Sequence, residues 1–313
     1  MNSRSLLSPL LVAALTVCHV ASPSSAVAAQ QSPIKTGTVD VGGAQLPYWD
    51  TGGDGVPVIL LHANTGSLES WPHQQTAFPR EGFRTISYSR RGVGSTTRSK
   101  EPIAHHVDLA RLMDALTIPR AHLVGIAAGG VVAVDFFLSH PDRVSGLVIA
   151  SSIVSFNEPL ILQAQKEYRG PRPGPNGVSQ AEMELSKVYR DSNPEGTRVW
   201  SEIQRRVEGA GLPPMAQTNN TLEPLAATRL PMLLLGGEFD PFMNPTLVGR
   251  MAAKLPNAEH HTIRNAAHAA QWEEPDEFNR LVLAYLRTRT SASGLARFLQ
   301  ADDDVVVVAS RPR

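Results

Sequence analysis

The chain has 313 residues, of which 42% are apolar, so it is long enough to bury one large hydrophobic core. Its 29 lysines and arginines balance its 29 aspartates and glutamates, which gives a formal net charge of zero at pH 7. Nucleic acids and anionic membranes need a basic surface excess, so this balance argues against both as partners. We therefore expect a small-molecule substrate. The composition leaves the oligomeric state open.

The N-terminal residues differ in composition from the rest of the chain. A single charge, Arg4, precedes an apolar stretch over residues 6–20, and a run of small residues comes after it. This order predicts a secretory signal peptide, residues 1–29, with an A-x-A cleavage site at residues 26–28. The apolar stretch is short for a bilayer span, so we expect a secreted or periplasmic protein without a membrane span. Cys18, the only cysteine, lies in the same segment.

Apolar runs alternate with helical patterns along most of the remaining chain. Two short runs predict an opening hairpin, and five later runs are typical of strands that are covered on both faces. The predicted strands are Thr36–Val41, Gln45–Thr51, Val56–His62, Phe83–Tyr88, His122–Ile126, Val144–Ser151 and Met232–Leu235. Helical patterns between them, such as Ala104–Leu116, predict a mostly parallel sheet with helices on both faces. Catalytic groups are then expected at the carboxyl ends of the strands.

The alternation stops between residues 156 and 227. Turn-rich segments there separate amphipathic helical patterns over Glu158–Tyr168, Gln180–Tyr189 and Thr197–Val207. We interpret residues 156–227 as a helical cap inserted into an α/β core made of residues 30–155 and 228–290, where it would shape a substrate pocket. Four large side chains are candidates for lining an apolar cavity: Trp71, Met183, Trp200 and Met215. No function is assigned to the tail, residues 291–313.

One five-residue segment has the setting of a nucleophile elbow. Gly125-Ile126-Ala127-Ala128-Gly129 follows a predicted strand and precedes a helical pattern over Val131–Leu138. With serine at its third position, this would be the G-x-S-x-G turn that presents an attacking hydroxyl. Small flanking residues are needed because the backbone is crowded where the strand turns into the helix. Ala127 therefore occupies the position of the nucleophile.

Together with further motifs, this segment resembles the α/β-hydrolase superfamily, in particular the capped type that includes many esterases, lactonases and carbon–carbon bond hydrolases. The resemblance covers residues 34–288. Residues 60–64, Leu-Leu-His-Ala-Asn, are similar to the family's His-Gly motif, with Ala63 in place of glycine. Residues 87–94 are similar to its D-x-R-G-x-G segment, with Ser89 where aspartate is common. The resemblance implies an α/β-hydrolase fold with an inserted helical cap.

The resemblance also implies two catalytic partners for position 127. Asp240 follows an apolar strand and stands where the family presents its acid, whereas Glu238 comes two residues too early. His268 comes next in the expected chain order and corresponds to the family's base. Asp240 would fix the imidazole tautomer, and His268 would take the proton of a nucleophile. The backbone N–H groups of Asn64 and Ala128 would hold the oxyanion.

Other sites are not indicated by the sequence. The histidines and carboxylates lack paired ligand spacing such as H-E-x-x-H, and no glycine-rich phosphate loop is present, so we expect neither a metal nor a cofactor. His105 and His106 begin a helical pattern and are expected to cap it or to face solvent. His260 and His261 lie on a strand pattern and are expected to be structural.

Ala127 leaves three interpretations open. The first interpretation is a serine-triad hydrolase for an ester or lactone of a small, largely apolar molecule, made inactive or impaired by an engineered Ser→Ala change at position 127. A second interpretation is a non-catalytic descendant that binds a ligand. A third is an enzyme in which His268 and Asp240 act as a general base without a covalent intermediate. A carbon–carbon bond hydrolase would use the same triad on a diketone and is a competing enzyme class.

Overall fold

The computed structural model describes residues 33–93, 103–155, 157–168, 170, 177–208 and 220–290. The predicted signal peptide with Cys18, the tail after Thr290, and Met215 lie outside the described residues. Within the described part of the chain, no helix is long and apolar enough to cross a membrane.

Eight strands in this part of the chain form a single sheet. In chain order they are β1 (Lys35–Asp40), β2 (Gln45–Asp50), β3 (Val56–Leu61), β4 (Phe83–Tyr88), β5 (Ala121–Ile126), β6 (Val144–Ala150), β7 (Met232–Gly237) and β8 (Ala258–Ile263). The spatial order is β1-β2-β4-β3-β5-β6-β7-β8. The pairs β1–β2 and β2–β4 are antiparallel, and all pairs from β4 to β8 are parallel. The predicted α/β fold class is therefore confirmed.

Helices connect the strands and cover both faces of the sheet. They are α1 (Pro72–Arg80), α2 (His105–Ala115), α3 (Ala128–Ser139), α4 (Pro159–Glu167), α5 (Gln180–Glu184), α6 (Lys187–Ser192), α7 (Pro194–Glu208), α8 (Leu222–Ala226), α9 (Pro245–Ala252), α10 (Ala270–Glu273) and α11 (Pro275–Thr290). Helix α3 begins three residues before the predicted start, because Ala128, Gly129 and Gly130 already form its first turn.

The central strands bury both of their faces. On β5, Leu123 belongs to one core cluster and Val124 to the other, and on β6 the neighbours Leu147 and Val148 divide in the same way. Successive side chains of a strand point to opposite faces, so each apolar run feeds two cores at once. This double burial explains why the strand sequences are almost continuously apolar.

The strand register brings the functional segments to one edge of the sheet. Ile126 at the end of β5 pairs with Ala150 of β6, which in turn pairs with Leu235 of β7. The residues that come after these parallel strands therefore emerge side by side, as is usual for sites in α/β proteins.

The segment between β6 and β7, residues 151–231, carries helices α4 to α8 and is called here the inserted segment. The single helix expected over Gln180–Tyr189 is wrong, because the structure has two short helices with a break at Leu185 and Ser186. Ser186 caps the second helix by accepting a hydrogen bond from the N–H of Tyr189 at 3.0 Å. A serine cap competes with a continuous helix at this position.

Two elbow glycines are required by close backbone contacts. A Cβ atom on Gly125 would overlap the carbonyl of Gly129, and a Cβ on Gly129 would overlap the carbonyl of Leu61 on the neighbouring strand. Both obstacles are backbone atoms, which cannot rotate away. The chain can therefore turn from β5 into α3 at this point only with glycine at both positions.

We expect Gly125→Ala to lower the free energy of unfolding by about 3 kcal/mol, because the added methyl group has no space. The matched control is Gly249→Ala in the interior of α9, where a Cβ would meet only the His260 side chain at 3.7 Å. That control is expected to stabilise the protein by up to about 1 kcal/mol through helix propensity. Urea unfolding of the two variants measures both values, and equal effects would contradict the proposed crowding.

Candidate active site

Ala127 adopts the backbone conformation of a nucleophile elbow without a nucleophile. Its φ of 49° and ψ of −118° lie in a region that residues other than glycine rarely adopt, at a cost of about 1–3 kcal/mol. Its N–H donates to the carbonyl of Ala150 at 2.9 Å, and its own carbonyl accepts from the Ser152 hydroxyl at 2.6 Å. These bonds hold the turn in place, and residue 127 lines a cavity with walls from the core and the inserted segment, called here the main cavity.

Asp240 and His268 form a hydrogen-bonded pair at the same edge of the sheet. His268 Nδ1 lies 2.9 Å from Asp240 Oδ2, and the Asp240 side chain is fully buried. The other oxygen of Asp240 accepts the N–H groups of Phe242 and Met243, each at 2.9 Å. Glu238, the rival carboxylate in the sequence, instead accepts the N–H of Asn265. The structure thus places Asp240 beside the histidine and turns Glu238 away from it.

The environment drives this pair toward the charged forms. Burial acts against ionisation of both groups, yet the negative charge and hydrogen bond of Asp240 raise the pKa of His268 above its usual 6.5. Likewise, burial is outweighed at Asp240 by the charge and hydrogen bond of His268, and its pKa is lowered. In the neutral ring, donation of the Nδ1 proton to Asp240 leaves the other ring nitrogen as a proton acceptor, and the raised pKa makes it a stronger base.

The two amides predicted to hold an oxyanion both border the cavity. Ala128 is the first residue of α3, where an N–H has no acceptor within its own helix. The N–H groups of Asn64 and Ala128 donate to no acceptor among the described residues. Both residues line the cavity together with Ala127 and His268. A developing negative oxygen could accept from both groups.

The loop that carries Asn64 is fixed by a buried arginine that no sequence motif singled out. The guanidinium of Arg90 donates to the side-chain oxygen of Asn64 at 3.0 Å and to the carbonyl of His62 at 3.2 Å. The backbone N–H of Arg90 donates to His62 Nε2 at 3.0 Å. Burial, together with the charge of Arg90, lowers the pKa of His62, which suits a neutral acceptor ring. Burial lowers the pKa of Arg90 to about 10.

The cavity has a volume of about 680 Å³, which is in the range that holds a small molecule. Most of its wall is apolar, with side chains from the core, the inserted segment and the loop after β7, including Val131, Ile153, Ile161, Phe242, Met243 and Leu247. Among the described residues that line it, none is a lysine or an arginine, and the only carboxylate is that of Glu184.

Glu184 and Glu273 are buried carboxylates that sequence reasoning missed. Glu184 is 3% exposed and ends helix α5, while Glu273 is 5% exposed and ends helix α10. Glu273 accepts the N–H groups of Ser186 at 2.6 Å and of Ala267 at 2.9 Å, so it ties the inserted segment to the loop of His268. Both end helices of only five and four residues, which are too short for a helical pattern to mark a buried face.

A scan against family models matches residues 58–281 to a family described as the alpha/beta hydrolase family. A 2-hydroxy-6-oxononadienedioate/2-hydroxy-6-oxononatrienedioate hydrolase from Burkholderia vietnamiensis is 30% identical over 78% of this chain and 91% of its own length. The chain belongs to the alpha/beta hydrolase family.

Solved structures of other proteins have a similar fold. A thermophilic esterase from Thermogutta terrifontis superposes with a TM-score of 0.68 at 22% identity, over 82% of this chain and 100% of its own. A structure of an N-acyl homoserine lactone degrading enzyme superposes with a TM-score of 0.62 at 25% identity, over 80% of this chain and 100% of its own.

Some of the other expectations for this alpha/beta hydrolase are wrong. His105 does not face solvent: it is 4% exposed, because the first turn of α2 packs against the core. Trp71, Met183 and Trp200 are buried and are not among the residues that line the main cavity. Trp71 belongs to one of the two core clusters at the sheet, and Trp200 packs with Leu185 and Trp272 in a separate cluster. Among the described residues, no group of three or more His, Cys, Asp or Glu side chains is placed to hold a metal ion.

The buried carboxyl of Glu273 makes the stability of this hydrolase depend on pH. Burial raises its pKa from 4.5 to about 7, against the opposing effect of the N–H groups that donate to it. The folded state therefore retains this proton more tightly than the unfolded state does. The resulting stability is fully present below about pH 4.5 and is lost as the pH rises to about 7.

The glutamine of Glu273→Gln cannot titrate. The free energy of unfolding of this variant, minus that of the parent protein, should therefore increase by about 3 kcal/mol between pH 4.5 and pH 7.5. Urea unfolding across this range measures the difference, in which the contributions of all other titrating groups cancel. The matched control is Glu274→Gln, which should behave as the parent protein does. A constant difference for Glu273→Gln would show that Glu273 is already ionised throughout.

Proposed function

We propose that the cavity binds a small, uncharged, largely apolar ester or lactone in the orientation required for acyl transfer, at a site that lacks only the serine. The observation that carries the proposal is the backbone of Ala127, which keeps the strained elbow conformation and borders the same cavity as His268 and the free amides of Asn64 and Ala128. Strain of this kind persists where the surrounding structure imposes it and is typical of functional sites.

Each group at the site has a role in the proposed acyl transfer. The carbonyl oxygen of the substrate would accept the N–H groups of Asn64 and Ala128, which stabilise the negative charge of a tetrahedral intermediate. His268, oriented by Asp240, would take a proton from the nucleophile and return it to the leaving alcohol. A serine at position 127 would attack from the elbow. The methyl group of Ala127 closes this covalent route.

The charge of the cavity supports an uncharged substrate. The relative from Burkholderia vietnamiensis is named for hydrolysis of dioates, which carry two carboxylates. Burying a carboxylate without a cationic partner is costly, and the described lining residues include no lysine or arginine, while His268 is already paired with Asp240. Glu184 would add repulsion. An ester or lactone is uncharged and avoids both penalties, and a lactone is what the structural neighbour at 25% identity degrades.

Ala127→Ser is expected to raise the hydrolysis of short-chain aryl esters or γ-lactones by at least roughly 10³-fold, because loss of the serine from comparable triads costs about 10⁶-fold. The rate is measured as product release under matched conditions. The control is the double variant Ala127→Ser, His268→Ala, which should fall back to the level of the parent chain. A panel of esters and lactones with no gain on Ala127→Ser would overturn the serine-hydrolase proposal.

A second candidate is general-base catalysis by His268 acting directly on water or substrate. The observation that favours it is the Asp240–His268 pair itself, which is complete without serine and holds an imidazole with a raised pKa. In this case Ala127→Ser leaves turnover unchanged while His268→Ala abolishes it. If neither change affects any substrate, the chain binds its ligand without catalysis.

A matched pair of substrates tests the charge of the cavity. In the Ala127→Ser background, a neutral diester should have a KM at least about tenfold lower than its half-ester, in which one end is a free carboxylate, since desolvating an unpaired carboxylate costs more than about 1.4 kcal/mol. The kcat values should differ less. Preference for the half-ester, or cleavage of a carbon–carbon bond in a dicarboxylate diketone, would favour the chemistry named for the Burkholderia relative.

A further inference from the structure

Glu184 is the most connected polar side chain of the site. One carboxylate oxygen accepts from the Thr65 hydroxyl and the Gln180 amide, each at 2.7 Å. The other accepts from the indole N–H of Trp200 at 3.1 Å and the amide of Gln204 at 2.5 Å. Four donors thus compensate a buried carboxylate that borders the main cavity.

The backbone of the same residue holds the loop of the histidine. The carbonyl of Glu184 accepts the N–H of His268 at 3.0 Å and the N–H of Ala269 at 3.1 Å. Through Thr65, its side chain also reaches the residue next to Asn64. Glu184 therefore joins three pieces that the chain brings from distant positions: the inserted segment, the oxyanion loop and the histidine loop.

The electrostatics around His268 are one-sided. The charged groups that act on its imidazole are the carboxylates of Asp240, Glu184 and Glu273, which come from the loop after β7, from α5 and from α10. All three favour the protonated ring against the effect of burial. Asp240 has a direct hydrogen bond to the ring, whereas Glu184 acts through space and through the backbone of the histidine loop.

We propose that Glu184 is a positioning residue for His268, which sets the base against the oxyanion loop and supplies a second negative charge beside the imidazole. The inference rests on the proposed function for its catalytic consequence only. During acyl transfer the imidazole becomes an imidazolium, so a carboxylate that is already desolvated and fixed lowers the energy of that charged state. The four donors keep Glu184 in place before the charge develops.

The direct test is the titration of His268 in the chain as it stands, monitored by NMR of its imidazole and assigned with His268→Ala. In Glu184→Gln the negative charge is removed while the shape is kept, since the Thr65 hydroxyl and the Gln180 amide can turn to accept from the new amide. The pKa of His268 should fall. In the matched control Glu223→Gln, an exposed carboxylate of α8 in the same inserted segment, it should not move.

Thr65→Val separates charge from packing. It removes one donor to Glu184 and keeps the carboxylate, so the pKa of His268 should remain close to that of the parent chain. A fall in Glu184→Gln alone supports the proposal. An unchanged pKa in Glu184→Gln, or an equal fall in Thr65→Val, overturns the electrostatic role. Thermal unfolding of each variant establishes that it is folded under the conditions of the titration.

The catalytic consequence is measured in the Ala127→Ser background. Glu184→Gln should lower kcat by roughly 10- to 100-fold, the size of effect expected when a base is misplaced, and should change KM by less than about threefold. A loss confined to KM would assign Glu184 to substrate binding and overturn the positioning role. If Ala127→Ser itself brings no activity, the proposed function fails, while the titration of His268 still decides the role of Glu184.

Discussion

The sharp turn from β5 into α3 is the constraint on which the site depends. Gly125 and Gly129 allow the helix to start directly against the neighbouring strand, and the turn between them forces residue 127 to a positive φ. Two neighbouring groups depend directly on that turn. The amide of Ala128 is free because α3 begins there, and the hydroxyl of Ser152 is engaged in holding the carbonyl of Ala127. The geometry is set by backbone crowding and does not depend on a serine.

Charge is the second determinant of the site. The carboxyl groups of Asp240, Glu184 and Glu273 all favour the protonated form of the His268 imidazole, and the buried cation Arg90 is engaged in fixing Asn64. Each carboxylate is compensated by donors of the protein: backbone N–H groups at Asp240 and Glu273, and side chains at Glu184. A site of this kind stabilises positive charge on the histidine and negative charge at the free amides, which are the two charges that acyl transfer creates.

The fold could be predicted from the sequence because it depends on local signals. Continuous apolar runs marked the buried strands, and the order of elbow, acid and histidine pointed to Ala127, Asp240 and His268, which the structure brings to one edge of the sheet. Glu184 and Glu273 could not be found in this way. Their burial results from contacts between elements far apart in the chain, such as Thr65 with Glu184, and no local pattern records such contacts.

The break between α5 and α6 has the same cause. The helical period of the sequence continues through Ser186, yet that residue ends the run because its hydroxyl caps the next helix and its N–H donates to Glu273. A tertiary hydrogen bond to a buried carboxylate outweighed the local preference.

Two features of the site reduce the free energy of unfolding. The positive φ at Ala127 and the desolvated carboxyl of Glu273 both reduce the stability of the folded chain at neutral pH. Neither cost is needed to hold the sheet together, because a glycine at position 127 and an amide at position 273 would remove them. Both costs fall at the site, one at the elbow and the other beside the loop of His268. Strain and unfavourable burial that the scaffold does not require are typical of functional sites, and this distribution supports the proposal that a ligand binds at the free amides and His268.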